Sequence, residues 1–206
     1  MIAITVSTKY HDLLPIVYHY NNDYFKHWVF VTDIKDEETI KFLSSKHNLT
    51  ILYYDFKNHR NIFDKGGAIR YAQHYVYNTF PDDWYLLIDS DICLTAQFID
   101  FKTNHLPSLD QNFIYGLNER LDFKSLSDLE KCINYTRYDH KGYVYGYFQL
   151  YKEKFYYNTS RDASHCDSDF VTNFAKSMMI SGIQCAHLGS RSHWSGDRKI
   201  GSDFKL

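Results

Sequence analysis

From Met1 to Ile88 the chain alternates two hydrophobic periods. Met1–Ser7, Trp28–Thr32, Leu49–Tyr54 and Trp84–Ile88 are short, nearly continuous apolar runs rich in β-branched residues, the pattern of strands buried on both faces. Between them, apolar positions recur at helical spacing: Leu13, Leu14, Val17 and Tyr20 within Tyr10–Asn21, Ile40 and Leu43 within Lys35–Lys46, and Ala68, Ala72, Tyr75 and Val76 within Lys65–Thr79. Strand and helix in alternation predict βαβ crossovers and a parallel sheet. Beyond Asp100 the pattern loosens. Phe113–Leu117 and Val144–Tyr151 read as further strands, Ser164–Ser177 as a helix opened by acidic residues, and Ile183–Leu188 as a last apolar run before a polar tail. The expected architecture is a three-layer α/β/α sandwich around a mainly parallel, mixed sheet, with the second half of the chain elaborating it.

Length and composition narrow the class. A chain of 206 residues is one domain, or one with a small elaboration, and can build a core without staples. The net charge of −2 leaves no basic face of the kind a nucleic-acid polymer needs. Cys93, Cys132, Cys166 and Cys185 form no Cys-x-x-Cys pair, which argues against a zinc module and for reduced thiols in a cytoplasm-like compartment, a host's cytoplasm for a viral chain. No signal peptide is evident, and no apolar run approaches the roughly 20 residues of a membrane span. The chain also reads as a possible domain of a larger enzyme. Its aromatic content is 18%. Biased base composition accounts for that, as do half-buried walls and wet clefts lined by tyrosine.

Two segments carry chemistry. Asp89-Ser90-Asp91 directly follows an apolar strand, and in open parallel sheets ligands bind beyond the carboxyl ends of the strands. Two carboxylates one residue apart at such an end can hold a hard divalent cation, Mn2+ or Mg2+, against phosphate oxygens. Upstream, Asp64-Lys65-Gly66-Gly67-Ala68-Ile69-Arg70 opens a helix. The glycines permit close backbone approach there, while the helix N-terminus, Lys65 and Arg70 favour an anion.

A helix start of this kind, followed by an apolar strand and Asp-x-Asp, resembles the glycosyltransferase A fold, and most closely its inverting, family-2-like and galactosyltransferase-like branches. Cys166-Asp167-Ser168-Asp169-Phe170 is similar to their acidic helix-start motif, and Ala186-His187-Leu188-Gly189 to their late strand ending in a metal-binding histidine. The likeness spans roughly residues 1–195 as four short motifs in order. It implies that Asp91, helped by Asp89 and completed by His187, holds the metal. Thr8, Tyr10 and Asp33 would face the nucleoside. Lys65, Gly66, Arg70, Asp89 and Ser90 would line the donor. Asp167 would be the general base, and Asp169 would hold the acceptor or the helix start. Ordinary helix capping is the other reading of these two aspartates. Cys166 stands where the family has Glu.

The function so implied is metal-dependent transfer of a sugar from a nucleoside-diphosphate sugar, a UDP-sugar above all, to a hydroxyl of a glycan or other acceptor, with inversion. Residues 1–100 would bind the nucleotide and 101–206 the acceptor. The competing classes are a retaining glycosyltransferase, a sugar nucleotidyltransferase and a non-catalytic donor-binding module. The absence of glycine from Ser7 to Pro15 counts against the nucleotidyltransferase. Tyr143, Tyr145, Tyr147 and Phe148, set around Gly142 and Gly146, fit either an acceptor wall or core packing. Ser190–Lys199 fits either a lid over the diphosphate or a mobile terminus.

Overall fold

The computed structural model describes residues 1–56, 63–159, 163, 165–189 and 204–206. The first half follows the hydrophobic pattern. Strands β1 (Ile2–Val6), β2 (His27–Thr32) and β3 (Leu49–Tyr53) are joined through helices α1 (Leu14–Asn21) and α2 (Glu37–Ser44). Helix α3 (Lys65–Thr79) then leads to β4 (Tyr85–Ile88). All five residues of β1 are buried, as a strand covered on both faces requires. Helix α1 is shorter than its periodicity, because Pro15 sits in its first turn and fixes the start. Asp36 caps α2 by accepting from the Thr39 N–H, and Asp64 caps α3 by accepting from the Gly67 N–H at 2.8 Å.

After β4 come β5 (Ile92–Leu94), α4 (Gln97–Asp100), β6 (Phe113–Phe123), α5 (Leu126–Lys131), β7 (Thr136–Asp139), β8 (Phe148–Tyr151), α6 (Cys166–Val171) and β9 (Lys176–Leu188). Among the described residues the sheet has nine strands, in the order β3-β2-β1-β4-β8-β6-β9-β5 with β7 also paired to β6. The β3-β2-β1-β4 half is parallel, β8 runs antiparallel to both β4 and β6, β9 is parallel to β6, and β5 is antiparallel to β9.

Successive residues of the central strands feed opposite faces. Ala3, Trp28, Phe30, Leu86 and Ile88 join α1 and Leu43 of α2 in one core, while Ile2, Ile4, Val29, Val31, Tyr85 and Leu87 join α3 and α6 in the other. The expected three-layer α/β sandwich is therefore the observed fold.

Several element bounds differ from the sequence pattern. The helix expected over Ser164–Ser177 is only Cys166–Val171, because Lys176 already belongs to β9. The strand expected from Val144 begins at Phe148, and the preceding segment is irregular, with Gly142 at φ +90°. Strand β9 extends well upstream of Ile183 through a bulge whose Gly182 lies at φ +80°, a conformation glycine adopts freely. Among the described residues no helix is long and apolar enough to cross a membrane.

Candidate active site

The site lies beyond the carboxyl end of β4. There the chain turns sharply: the Asp89 N–H donates to the Tyr147 carbonyl at 3.1 Å and the Ile92 N–H to the Asp89 carbonyl at 3.3 Å. This turn carries the backbone into β5, where Ile92 pairs with His187 of β9. Asp91 is thereby set beside His187, with Oδ2 and Nε2 3.5 Å apart and both residues buried. Behind them, Asp122 of β6 is the ladder partner of His187, its Oδ1 3.3 Å from the imidazole Nδ1. Arg120 grips Asp122 through Nε at 2.8 Å and Nη2 at 3.2 Å, and its guanidinium lies over the rings of Tyr138 and Tyr147. Burial alone would lower the basicity of His187. Asp91 and Asp122 outweigh it and bring the imidazole up to about 9.

Asp89 faces the other way. Lys65, only 4% exposed, places Nζ 3.3 Å from Asp89 Oδ1 and 3.0 Å from Asp167 Oδ2. Burial would lower the ammonium, but Asp167 and Asp89 hold it above its ordinary value. Burial, then Asp91 and Asp167, push the Asp89 carboxyl up to about 6 against the pull of Lys65. Its side chain is 27% exposed, which tempers the contribution of burial.

Asp167 sits in the first turn of α6 but caps nothing. The N-cap position is His165, with no side-chain cap. The Asp167 carboxylate instead accepts from Lys65 and, through Oδ1, from the Tyr157 hydroxyl at 3.1 Å, while its carbonyl accepts from Gln149 Nε2 at 3.2 Å. Tyr157 and Gln149 are fully buried, so the carboxylate is held from beneath. Gly146 lies directly against it: a Cβ there would overlap the Asp167 carboxyl group.

The other expected residues divide. Thr8 and Asp33 follow β1 and β2 on the same rim. Asp33 closes a turn by accepting from the Lys35 N–H at 2.9 Å, and the Lys9 N–H, at φ +62°, donates to Asp36. Ser90 is buried in the Asp89–Asp91 turn. Tyr10 belongs to the core, 4% exposed among Leu13, Leu14 and Trp28, because the chain turns inward there to begin α1. Arg70 is exposed, with its guanidinium 5.5 Å from the Tyr156 ring centroid. Five helical residues place it about 140° around α3 from Lys65, so it does not join the cluster. Asp169, two residues from Asp167, lies about 200° around α6 from it. The Gly66-Gly67 pair also has a packing reason. A Cβ on Gly66 would come within 2.5 Å of the Asn158 carbonyl, and one on Gly67 would strike Asp64 and Tyr54. Cys166 is buried, and burial first, then Asp167, push its thiol up to about 12. All four cysteines are free thiols. Residues 190–199, the expected lid, lie outside the described residues.

Arg120 and Asp122 escaped the sequence reading. Their signal was an Arg-x-Asp pair continuing the Phe113–Leu117 run, which puts both side chains on one face of a strand.

Among the described residues no three His, Cys, Asp or Glu side chains form a ready coordination shell. The donor set still fits a divalent ion. Asp91 offers an oxygen and His187 a nitrogen, with Asp122 behind the imidazole as the carboxylate that orients such ligands. A mixed oxygen and nitrogen set suits Mn2+ better than Mg2+, which favours oxygen alone. A cavity of about 520 Å3 between α4 and β9, lined by Phe101, Tyr115 and Met178 among others, includes none of these residues.

No family model and no curated protein sequence matches the chain. Solved structures do. The mannosyltransferase PcManGT from Pyrobaculum calidifontis, in complex with GDP-Man and Mn2+, superposes with a TM-score of 0.57 at 12% identity, over 90% of this chain and 56% of that one. HddC from Yersinia pseudotuberculosis superposes with a TM-score of 0.54 at 14% identity, over 90% of this chain and 92% of that one. HddC complexed with GMP-PN gives the same TM-score. The chain thus spans little more than half of the mannosyltransferase. Together these likenesses show that the chain shares the fold of the mannosyltransferase and of HddC.

Proposed function

We propose that the chain is a Mn2+-dependent glycosyltransferase that moves a sugar from a nucleoside-diphosphate sugar to an acceptor hydroxyl with inversion. The observation that carries this reading is the convergence of Lys65, Asp89 and Asp167 within 3.3 Å, beside the Asp91–His187 pair. Residues far apart in sequence meet there at the ligand-binding end of the sheet. Asp91 and His187 would hold the divalent ion. When bound, that ion neutralises charge growing on the departing diphosphate. Lys65 supplies a fixed positive charge from a water-poor position, where it is worth more than in solvent. Asp167, held by Tyr157 and Lys65, would take the proton of an incoming hydroxyl. Thr8 and Asp33, on the rim after β1 and β2, would face the nucleoside. The two neighbours bind GDP-Man and GMP-PN respectively, so GDP-sugars stand beside UDP-sugars as donors to try.

The test is a thermal-stability titration with GDP-mannose, UDP-glucose and dTDP-glucose, with and without Mn2+, alongside donor hydrolysis. At least one donor should stabilise the protein in a Mn2+-dependent manner and be slowly hydrolysed. Asp91→Ala should abolish the Mn2+-dependent stabilisation. Asp167→Asn should keep donor binding and lose at least a hundredfold in transfer, within the range general-base catalysis supplies. Donor binding indifferent to Mn2+ and to Asp91→Ala would refute the metal site. Net synthesis of a nucleotide-sugar from a nucleoside triphosphate and a sugar 1-phosphate would reassign the reaction to nucleotidyl transfer.

A further inference from the structure

The aromatic run before β8 divides sharply by exposure. Val144 and Tyr147 are buried, and Tyr147 donates its hydroxyl to the Leu117 carbonyl at 3.2 Å. Tyr143 and Tyr145 are 69% and 45% exposed. Leaving two large rings in solvent forgoes the stabilisation their burial would give. The rings are nonetheless held. The Tyr143 N–H donates to the His140 carbonyl at 3.0 Å, and the His140 N–H to the Asn118 carbonyl at 2.9 Å. The Tyr145 ring sits 4.7 Å from the buried His140 ring and 6.2 Å from Tyr143. The segment is also fastened to the site at two points. Gly146 touches the Asp167 carboxylate, and the Tyr147 carbonyl accepts the Asp89 N–H.

We propose that Tyr143 and Tyr145 form the acceptor subsite, and that the acceptor is a saccharide whose ring face lies on the Tyr145 ring. This inference rests on the glycosyltransferase reading and names its substrate class. The face of an aromatic ring is electron-rich, and the axial C–H bonds of a pyranose present a weakly positive, apolar face that matches it. The phenol hydroxyls at the ring edges can bond the sugar's equatorial hydroxyls. A lipid acceptor would want an aliphatic groove, whereas the exposed side chains here are phenols. Tyr145 immediately precedes Gly146, which lies against the Asp167 carboxylate, so one residue of chain joins the proposed subsite to the proposed base.

The experiment is saturation-transfer NMR on the full chain. The probes are the methyl glycosides of glucose, galactose, mannose and N-acetylglucosamine, with maltose, cellobiose and chitobiose. At least one probe should show saturation concentrated on the C–H protons of one ring face. The Tyr143→Ala/Tyr145→Ala double variant should weaken that binding at least tenfold, and Tyr145→Phe, which keeps the ring, should retain most of it. Both residues are exposed, so the variants should keep the wild-type unfolding temperature. No contact from any probe, equal binding by the double variant, or equal loss in Tyr145→Phe and the double variant would each overturn the proposal. Mn2+-dependent stabilisation by any of GDP-mannose, UDP-glucose and dTDP-glucose, measured on the same samples, separates the two readings. Its absence with saccharide binding intact sinks the donor site alone. Its presence with no saccharide binding sinks the acceptor subsite alone.

Discussion

Lys65 is the residue on which the electrostatics of the site turn. A buried ammonium is costly unless paired, and here it is paired twice, with Asp89 and Asp167. Removing one member of such a cluster exposes the rest to each other. Lys65→Met should destabilise the protein by about 3 kcal/mol, the low end for a broken buried pair. The reason for the low end is that the Asp89 and Asp167 side chains keep 27% and 17% exposure. Urea denaturation would measure it, and a change below about 0.5 kcal/mol, the scale of an ordinary surface substitution, would show the pairing to be weak. At this scale the sequence was partly legible. The order of Asp89, Asp91, Asp167 and His187 along the chain led to their being grouped, and the fold brings them into one region. Arg70 was grouped with Lys65 because adjacency in sequence hides the angle between them on a helix. Tyr10 was assigned to the cleft because nothing in its neighbours shows which way a turn faces.

Elements bring these residues together, and glycines set how closely. In Gly146 the missing Cβ is the space the Asp167 carboxylate occupies. Gly146→Ala should therefore displace Asp167 while leaving Asp91 and His187 in place. The expected outcome is unchanged Mn2+-dependent donor binding, at least tenfold slower transfer, and a stability loss of about 1–3 kcal/mol from overpacking. Steady-state kinetics beside calorimetric donor titration would read it. Transfer at the wild-type rate would show that Asp167 is not positioned through this contact. The parallel half of the sheet was legible in sequence, because strands covered on both faces are uniformly apolar and helices between them keep their period. Strands β5 and β7 were not. β5 has only three residues, and β7 is largely exposed, so neither shows a readable alternation. Helix α6 was overestimated because its acidic start resembled a long amphipathic helix, whereas the chain turns into β9 soon after Val171.

Across the whole molecule, the two sequence halves are interlocked rather than side by side. β5, from the 1–100 half, crosses to the far edge of the sheet and pairs with β9 of the other half. The Asp91–His187 corner exists only because of that crossing: Asp91 precedes β5, and His187 lies opposite its first residue. On the side of β5 away from β9, Asn21 at the end of α1 takes the part of a neighbouring strand. It donates from Nδ2 to the Ile92 carbonyl at 2.7 Å and accepts through Oδ1 from the Leu94 N–H at 2.8 Å. Asn21 is fully buried, so these bonds have no water to replace them. Asn21→Ala should leave two buried backbone groups unsatisfied, at a cost of about 2–4 kcal/mol. Hydrogen exchange at Ile92 and Leu94 should then accelerate before that of β1 or β4, since the loss is local. Because Asp91 directly precedes β5, Mn2+ should also bind more weakly. Unchanged Mn2+ affinity alongside faster exchange in β5 would mean that the Asp91–His187 pairing holds the corner by itself. Loss of both together would make the layer containing α1 a structural support of the proposed metal site.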